Sequence, residues 1–230
     1  MNGVQTLEKI DSVKRVCFSL HNRTALHIGA GGAPISPVEP DNAVMKLGDK
    51  VFIPGSSLKG IFRSTLESID KEACTGLIDE NWCLEENGDL KKKEASARQK
   101  MAIARIEAGR LCPVCRLFGN PYTQGRLFFN DAIATQTDHK SLQKRDGVRI
   151  QRETETAVNG GKFDFETVVP GHEFPVEIVG MNLEQQDIDK LKLVINLINL
   201  GVVKIGGMTS RGLGRFEVKD LKVEEVKLDV

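Results

Sequence analysis

The sequence carries no net charge and no long apolar run, and each absence excludes a class of protein. Its 32 Lys and Arg residues balance 32 Asp and Glu residues, which argues against a simple nucleic-acid-binding domain with a basic excess. No apolar run is long enough to cross a membrane as a helix. Residues 1–14 are polar and charged, without an apolar signal region, so we expect a cytoplasmic protein with no membrane partner.

The glycine patterns of the common nucleotide-binding folds are also missing. Residues 204–216 read KIGGMTSRGLGRF and lie between an apolar helical run and an alternating, strand-like run. Walker and Rossmann loops need the order strand, loop, helix, whereas here it is helix, loop, strand. Glycines allow the backbone to approach a ligand closely, and backbone N–H groups beside arginine side chains can bind a phosphate group. The pattern indicates a phosphate-binding loop or a tight turn in a sheet.

A disulfide framework is not expected, because the five cysteines come without a secretory signal. Four of them fall in one loop-rich segment: Cys74, Cys83, Cys112 and Cys115. The last two form a CxxC, but the second CxxC of a zinc ribbon is absent. We hypothesise a structural zinc on the four thiolates, with free thiols as the alternative.

The hydrophobic periodicity predicts a single α+β domain over residues 1–230. An apolar helical stripe follows Ser56 or Ser57, either of which can cap a helix, and Lys59 and Arg63 lie on its opposite side. This helix start is a second phosphate-binding candidate. Strands are expected at 13–28, 51–53, 127–134, 174–179 and 214–218, with a second helix at 188–200 and a hairpin of 148–155 and 163–168 around 159–161. The order strand, helix, two strands, helix, strand is ferredoxin-like.

Three motifs together closely resemble the RAMP superfamily of CRISPR-associated proteins. They are FIPGSSLKGIFR at 52–63, CPVCRLFG at 112–119 and the glycine-rich segment 206–216, with LHIG at 26–29 near the start. The resemblance covers about residues 15–218. It is greatest to the repeated backbone subunit of type III effector complexes.

This resemblance implies a fold, a set of partners and a set of RNA contacts. The fold is a modified RRM, ferredoxin-type core with a cysteine-containing lid insertion (residues 70–118) and a β-hairpin thumb (139–170). Copies of the chain would stack head to tail along a guide RNA, with other type III effector subunits, and the thumb would enter the guide–target duplex. The implied RNA-binding residues are Ser56, Ser57, Lys59, Arg63, Arg149, Arg152, Gly206, Gly207, Arg211, Gly212, Gly214 and Arg215.

The resemblance also implies a catalytic residue. In this group an aspartate in the loop before the Pro-Gly-Ser-Ser motif supports metal-dependent cleavage of the bound target RNA, and Asp41 fits that position. The cofactor would be a divalent cation, with Mg²⁺ expected. Two alternatives stay open: a purely structural backbone subunit, and a RAMP endonuclease that processes guide RNA with a histidine such as His21 or His27.

Overall fold

The computed structural model describes residues 9–31, 40–71, 73, 111–120, 123–138 and 140–226. Most of the predicted lid lies outside these residues, including Cys74, Cys83 and a helix predicted at 91–108. The described parts form a mixed α+β structure built on antiparallel sheets. Within them, no helix combines the length and apolar character needed to span a bilayer.

The main sheet has four antiparallel strands. They are β1 (Val13–Asn22), β6 (Leu127–Phe129), β10 (Glu173–Met181) and β11 (Phe216–Val226), in the spatial order β11-β1-β10-β6. Along β1, Val16, Phe18 and Leu20 are buried and the residues between them are half-buried. This alternation gives the sheet one face that packs against the helices.

Two long helices supply the other side of the core. Helix α1 (Gly55–Ile69) buries Leu58, Phe62 and Leu66 at helical spacing. The second long helix, which we number α3 (Gln185–Asn199), buries Ile188, Leu191, Val194, Ile195 and Ile198. All of these belong to one hydrophobic cluster with the buried residues of the sheet. Apolar area removed from water contributes about 25 cal/mol per Å², so this cluster is the main source of stability.

Short elements connect the core. They are β2 (Lys46–Leu47), β3 (Lys50–Ile53), helix α2 (Pro113–Phe118), β4 (Gly119–Asn120), β5 (Thr123–Gln124) and β7 (Ala132–Ile133). Strands β2, β3 and β7 form a second sheet. Strands β8 (Leu142–Ile150) and β9 (Ala157–Val168) pair separately as a long hairpin.

Several predicted boundaries are wrong. Helix α1 has Pro54 as its N-cap residue, and neither Ser56 nor Ser57 caps it through a side chain. The hairpin turns at residues 151–156, not at 159–161, because the glycines of the predicted tip are part of β9. The final strand extends to Val226. The strand material predicted over 13–28, with a polar turn before 25–28, forms β1 only as far as Asn22, and Leu26 takes part in an isolated bridge with Val168. A segment predicted as one strand at 127–134 is divided into β6 and β7.

Buried polar contacts anchor the hairpin to the core. Asn22 is 1% exposed, and its side-chain amide donates to Val169 O at 2.8 Å while its Oδ1 accepts the His172 N–H at 2.7 Å. His172 Nδ1 lies 3.0 Å from Val169 O, to which it donates, and Nε2 lies within hydrogen-bond distance, 2.8 Å, of the Ser141 hydroxyl oxygen. These bonds join the two connections at the base of the hairpin to the end of β1.

Candidate functional site

Asp41 lies against the hairpin. Its backbone N–H donates to Asp164 Oδ1 at 2.7 Å, and its own Oδ2 accepts the Asp164 N–H at 3.0 Å. The next residue, Asn42, forms a parallel bridge with Phe165 of β9. The proposed catalytic loop is therefore held along β9, and the Asp41 side chain is exposed.

Lys144 of β8 forms an ion pair with Asp164, next to Asp41. The hydrogen bond from Lys144, followed by the one from the Asp41 backbone, lowers the pKa of Asp164 below its usual value. The same bond with Asp164 raises the pKa of Lys144. Asp164 is thus an anion and Lys144 a cation at neutral pH. Neither was predicted from the sequence, because their proximity depends on the hairpin register.

The glycine-rich loop packs closely on the segment that follows β1. The Gly207 N–H donates to His27 O at 2.7 Å, and a Cβ on Gly206 would lie 2.5 Å from the same oxygen. At Gly214 a Cβ would lie 2.2 Å from Ile205 O, with φ at +78°. Glycine is required at these positions by packing within the chain itself. A Cβ on Gly212 would meet no atom within 4 Å, although φ is +90°.

Arg211 connects this loop to the hairpin. Its guanidinium lies 5.8 Å from the centroid of the Phe163 ring, a cation–π distance. Phe163 stacks on Phe165 at 6.2 Å between centroids, and Phe165 meets the His27 ring edge-to-face at 5.9 Å. Phe165 is buried with Ala25 and Leu213. The two phenylalanines therefore pack the hairpin onto the loop, and Phe165 has no exposed ring face for a base.

The start of α1 is fixed by a different part of the chain. The Gly55 N–H donates to Asp131 Oδ1 at 2.7 Å, and a Cβ on Gly55 would lie 2.2 Å from Phe129 O. A carboxylate thus occupies the first donor of the helix that was predicted to bind phosphate. Ser56 is exposed and Ser57 is half-buried just beyond it.

The two cationic side chains of α1, Arg63 and Lys59, differ in their contacts. Arg63 donates to Glu67 Oε1 at 2.8 Å and to Gly119 O at 3.1 Å, so it stabilises the α1–α2 region. Burial, and then the charge of Arg63, lower the pKa of Lys59. An anion placed beside Lys59 would reverse this shift, which is the behaviour expected of a phosphate-binding lysine.

The remaining cations are exposed. Arg149 lies on β8 and Arg152 in the hairpin turn, and neither forms an ion pair within the described part of the chain. Arg215 is exposed, and its backbone O accepts the Arg23 N–H at 2.8 Å. The structure thus brings Asp41, the hairpin and the loop at 206–215 together, whereas the start of α1 is fixed by other segments.

The histidines that the structure describes have structural partners. His27 is 7% exposed, and its Nδ1 lies 2.7 Å from Glu166 O, to which it donates. His21 Nε2 lies 3.9 Å from Glu173 Oε1. Together with the hairpin contacts of His172, these contacts give His21 and His27 structural roles.

The CxxC pair opens helix α2. Cys112 is its N-cap residue, and Cys112 Sγ accepts the Cys115 N–H at 3.3 Å. Cys115 is buried. Because Cys74 and Cys83 lie outside the described residues, the four-thiolate zinc hypothesis stays a prediction.

The fold and the site define an α+β protein in which a glycine-rich loop and an exposed aspartate meet at a β-hairpin. The model of the RAMP superfamily matches residues 20–217. The chain therefore belongs to the RAMP superfamily, as its motifs predicted.

Two curated relatives align with nearly the whole chain. The CRISPR system Cms endoribonuclease Csm3 of Methanocaldococcus jannaschii is 27% identical over 214 residues, which cover 87% of this chain and 76% of that protein. The protein of the same name from Streptococcus thermophilus is 25% identical over 235 residues, which cover 92% of this chain and 90% of that one.

A solved structure has the same fold. A chain in the cryo-EM structure of the Type III-B Cmr-beta bound to cognate target RNA matches with a TM-score of 0.55 and 16% identity. The match covers 92% of this chain but 61% of the other. At this identity the likeness concerns the fold alone.

Proposed function

We propose that this chain is a guide-RNA-binding backbone subunit of a type III CRISPR interference complex that cleaves bound target RNA. The observation that carries the proposal is the position of Asp41, an exposed carboxylate held against β9, the strand whose Phe163 and Phe165 contact the glycine-rich loop. Membership of the RAMP superfamily and the relatives named Csm3 endoribonuclease support it.

The core of the proposed subunit is ferredoxin-like, with the β8–β9 hairpin as its thumb. The sheet order β11-β1-β10-β6 corresponds to fourth, first, third and second core strands, all antiparallel. Helices α1 and α3 follow the first and third of them, as in a β-α-β-β-α-β fold. The lid would be formed by residues 70–118, which follow α1 and end with α2.

Guide-RNA phosphates would bind through two groups of residues. Gly207, Gly212, Arg211 and Arg215 lie on the glycine-rich loop, where Gly206 and Gly214 maintain the close packing that shapes it. Lys59, Ser56 and Ser57 offer a cation and two hydroxyls at the start of α1. Arg63 would act through its charge, since its donors contact Glu67 and Gly119. Arg149 and Arg152 would contact the guide–target duplex from the thumb.

Target cleavage would proceed by attack of a ribose 2′-oxygen on the adjacent phosphorus. The new P–O bond forms as the bond to the 5′-oxygen breaks; the 2′-hydroxyl loses its proton and the 5′-oxygen gains one. In-line geometry and charge stabilisation are the main requirements. Asp41 would orient the 2′-hydroxyl or hold a cation near the phosphate.

The donor set at Asp41 suits Mg²⁺. No three His, Cys, Asp or Glu side chains converge as a metal site within the described ranges, but Mg²⁺ commonly binds one or two carboxylates together with substrate phosphates and water. Asp41 is exposed, and its Oδ1 bonds to no described residue. When bound, a divalent cation would stabilise charge on the phosphate oxygens.

The test is Asp41→Ala in a complex reconstituted with guide RNA. We expect guide and target binding to stay within about twofold, while target cleavage falls by about 100-fold or more because positioned charge stabilisation is lost. Asp49→Ala is the matched control, since Asp49 is an exposed aspartate in the turn between β2 and β3.

Each result assigns a different function. Unchanged cleavage by the Asp41 variant would favour a purely structural backbone subunit. Site-specific cutting of repeat RNA by the isolated chain would favour guide processing, although His27 and His172 are engaged in backbone contacts. Co-purifying RNA whose length increases by a fixed step would support head-to-tail copies and assembly with other effector subunits.

We also propose a structural zinc on Cys74, Cys83, Cys112 and Cys115. The support is chemical: a CxxC whose first sulfur already accepts a backbone N–H supplies soft thiolate donors of the kind zinc prefers. Metal analysis of the purified chain measures the zinc content, and we expect about one zinc ion per chain.

A further inference from the structure

We propose that Asp164 is a positioning residue for Asp41, so that the hairpin determines where the carboxylate of Asp41 lies. This inference rests on the proposed cleavage of target RNA. Asp164 lies on β9, which pairs with β8 across the hairpin. It is separated from Asp41 by 123 positions in the chain, and only the tertiary structure brings the two together.

Two hydrogen bonds connect these residues in a reciprocal way. The Asp164 carboxylate accepts the Asp41 backbone N–H at 2.7 Å, and the Asp164 backbone N–H donates to Asp41 Oδ2 at 3.0 Å. The first bond fixes the backbone of Asp41, and the second fixes one of its side-chain oxygens. Oδ1 has no hydrogen-bond partner among the described residues, and Asp41 is exposed, so a phosphate or a ribose hydroxyl could approach it.

The segment that follows Asp41 is attached to β9 as well. The Glu166 N–H donates to Asn42 O at 2.9 Å, and Glu166 Oε2 accepts the Val44 N–H at 3.1 Å. Asn42 and Phe165 form a parallel bridge. Residues 42–44 are therefore held on β9, while Asp164 contacts Asp41 itself through its carboxylate and its backbone N–H.

Lys144 keeps the Asp164 carboxylate in place. Its ammonium pairs with Oδ2, while Oδ1 accepts from Asp41. Asp164 is thereby oriented from both sides, by a cation of β8 and by the loop. A displacement of about 1 Å at a reacting group can reduce a rate by about 100-fold, so a loosened Asp41 would bind the target normally but cut it slowly.

The experiment compares single-turnover target cleavage and target affinity in the reconstituted complex. Asp164→Ala removes the acceptor for the Asp41 N–H, and we expect the rate to fall about 10- to 100-fold with affinity changed by less than about twofold. Asp164→Asn keeps an oxygen acceptor and should recover the rate to within about threefold of the parent. A merely structural role would not separate the rate from affinity or be rescued by the amide.

Asp146→Ala is the matched control. Asp146 lies directly across the hairpin from Asp164, and it pairs with Lys162 at 3.5 Å instead of contacting Asp41. Its removal changes the charge of the hairpin equally, so parental cleavage is expected. If Asp164→Ala does not assemble, Asp164→Glu shifts the carboxylate by one methylene in a folded chain and should also slow cleavage.

The outcomes separate this inference from the function on which it rests. If Asp41→Ala cuts like the parent, the proposed cleavage mechanism is wrong. If Asp41→Ala is inactive while the Asp164 variants cut like the parent, the positioning role alone is overturned. Equal loss in Asp164→Ala and Asp164→Asn also overturns it. In support, Asp41→Ala and the double variant with Asp164→Ala should be equally slow, because both residues then act through one carboxylate.

Discussion

Individual glycines of the loop at 206–214 serve different purposes. Gly206 and Gly214 are glycines because a Cβ would collide with backbone oxygens of His27 and Ile205. Gly212 has open space at its Cβ position and needs glycine for its φ of +90° alone. The glycine-rich motif suggests a single phosphate-binding feature, but its glycines have two roles. Gly206 and Gly214 shape the loop by close packing, whereas the space beside Gly212 stays open to a ligand.

Replacing Gly214 with alanine should destabilise the chain much more than replacing Gly212. Both changes put a side chain at positive φ, which costs about 1–2 kcal/mol. Gly214→Ala also forces a Cβ to within 2.2 Å of Ile205 O, so we expect a total loss of about 3 kcal/mol or more. Urea unfolding of the full chain measures the stability of both variants. Equal unfolding midpoints would contradict the conclusion that close packing requires glycine at position 214.

At the scale of elements, Arg116 joins α2 to the N-terminus of α3. Its guanidinium donates to Asp187 Oδ1 at 2.6 Å and to Glu184 Oε1 at 2.8 Å. The side chain of Asp187 is fully buried, and its Oδ2 accepts the Glu184 N–H at 3.0 Å. Arg116 belongs to the CPVCRLFG motif, so part of that motif serves the packing of helices.

Arg116→Ala should lower the free energy of unfolding by about 2–4 kcal/mol, because it leaves the buried Asp187 carboxylate without its cation. Arg23→Ala is the control. Arg23 pairs with Glu217, but its side chain is 59% exposed, and such surface pairs contribute about 1 kcal/mol or less. Thermal or urea denaturation measures both variants, and similar losses would show that the Asp187 pair is not the stabilising contact.

For the whole molecule, the charge balance extends to the hairpin, since residues 142–168 carry five basic and five acidic side chains. Arg149 and Arg152 are nevertheless exposed and form no ion pair within the described ranges, so these two cations are available to an anionic partner. Electrostatic binding to RNA depends on the local field and not on the sum. The neutral composition argued against a simple nucleic-acid binder, but it does not conflict with a basic surface.

The Arg149→Ala, Arg152→Ala double variant should weaken target binding by the guide-loaded complex and make it less sensitive to salt. Each lost phosphate contact reduces the slope of log K against log salt concentration by about 1. Lys219→Ala with Lys222→Ala removes two exposed lysines from β11, in a different sheet, and should leave the slope unchanged. Filter binding across a series of salt concentrations measures this slope. An unchanged slope in the arginine variant would show that the hairpin does not contact the duplex.

The sequence alone determined the secondary-structure order and the family, because these depend on local patterns. The alternation of Val16, Phe18 and Leu20 specifies a strand with one buried face, and the stripe of Leu58, Phe62 and Leu66 specifies a helix. Local patterns failed at the ends of elements: the glycines at 160 and 161 suggested a turn, yet β9 continues through them, with a shift of the hairpin register in that region.

The tertiary structure alone decided how the site is put together. Asp41 could be identified by its place before the Pro-Gly-Ser-Ser motif, but its contact with Asp164 depends on β9 lying beside the loop. Asp131, which accepts the Gly55 N–H at the start of α1, is likewise distant in sequence from that helix. Phe163 is equally distant from Arg211, whose guanidinium lies over its ring. The physical reason is that periodicity reports which face of an element is buried, whereas side-chain partners are set by the register and packing of segments far apart in the chain.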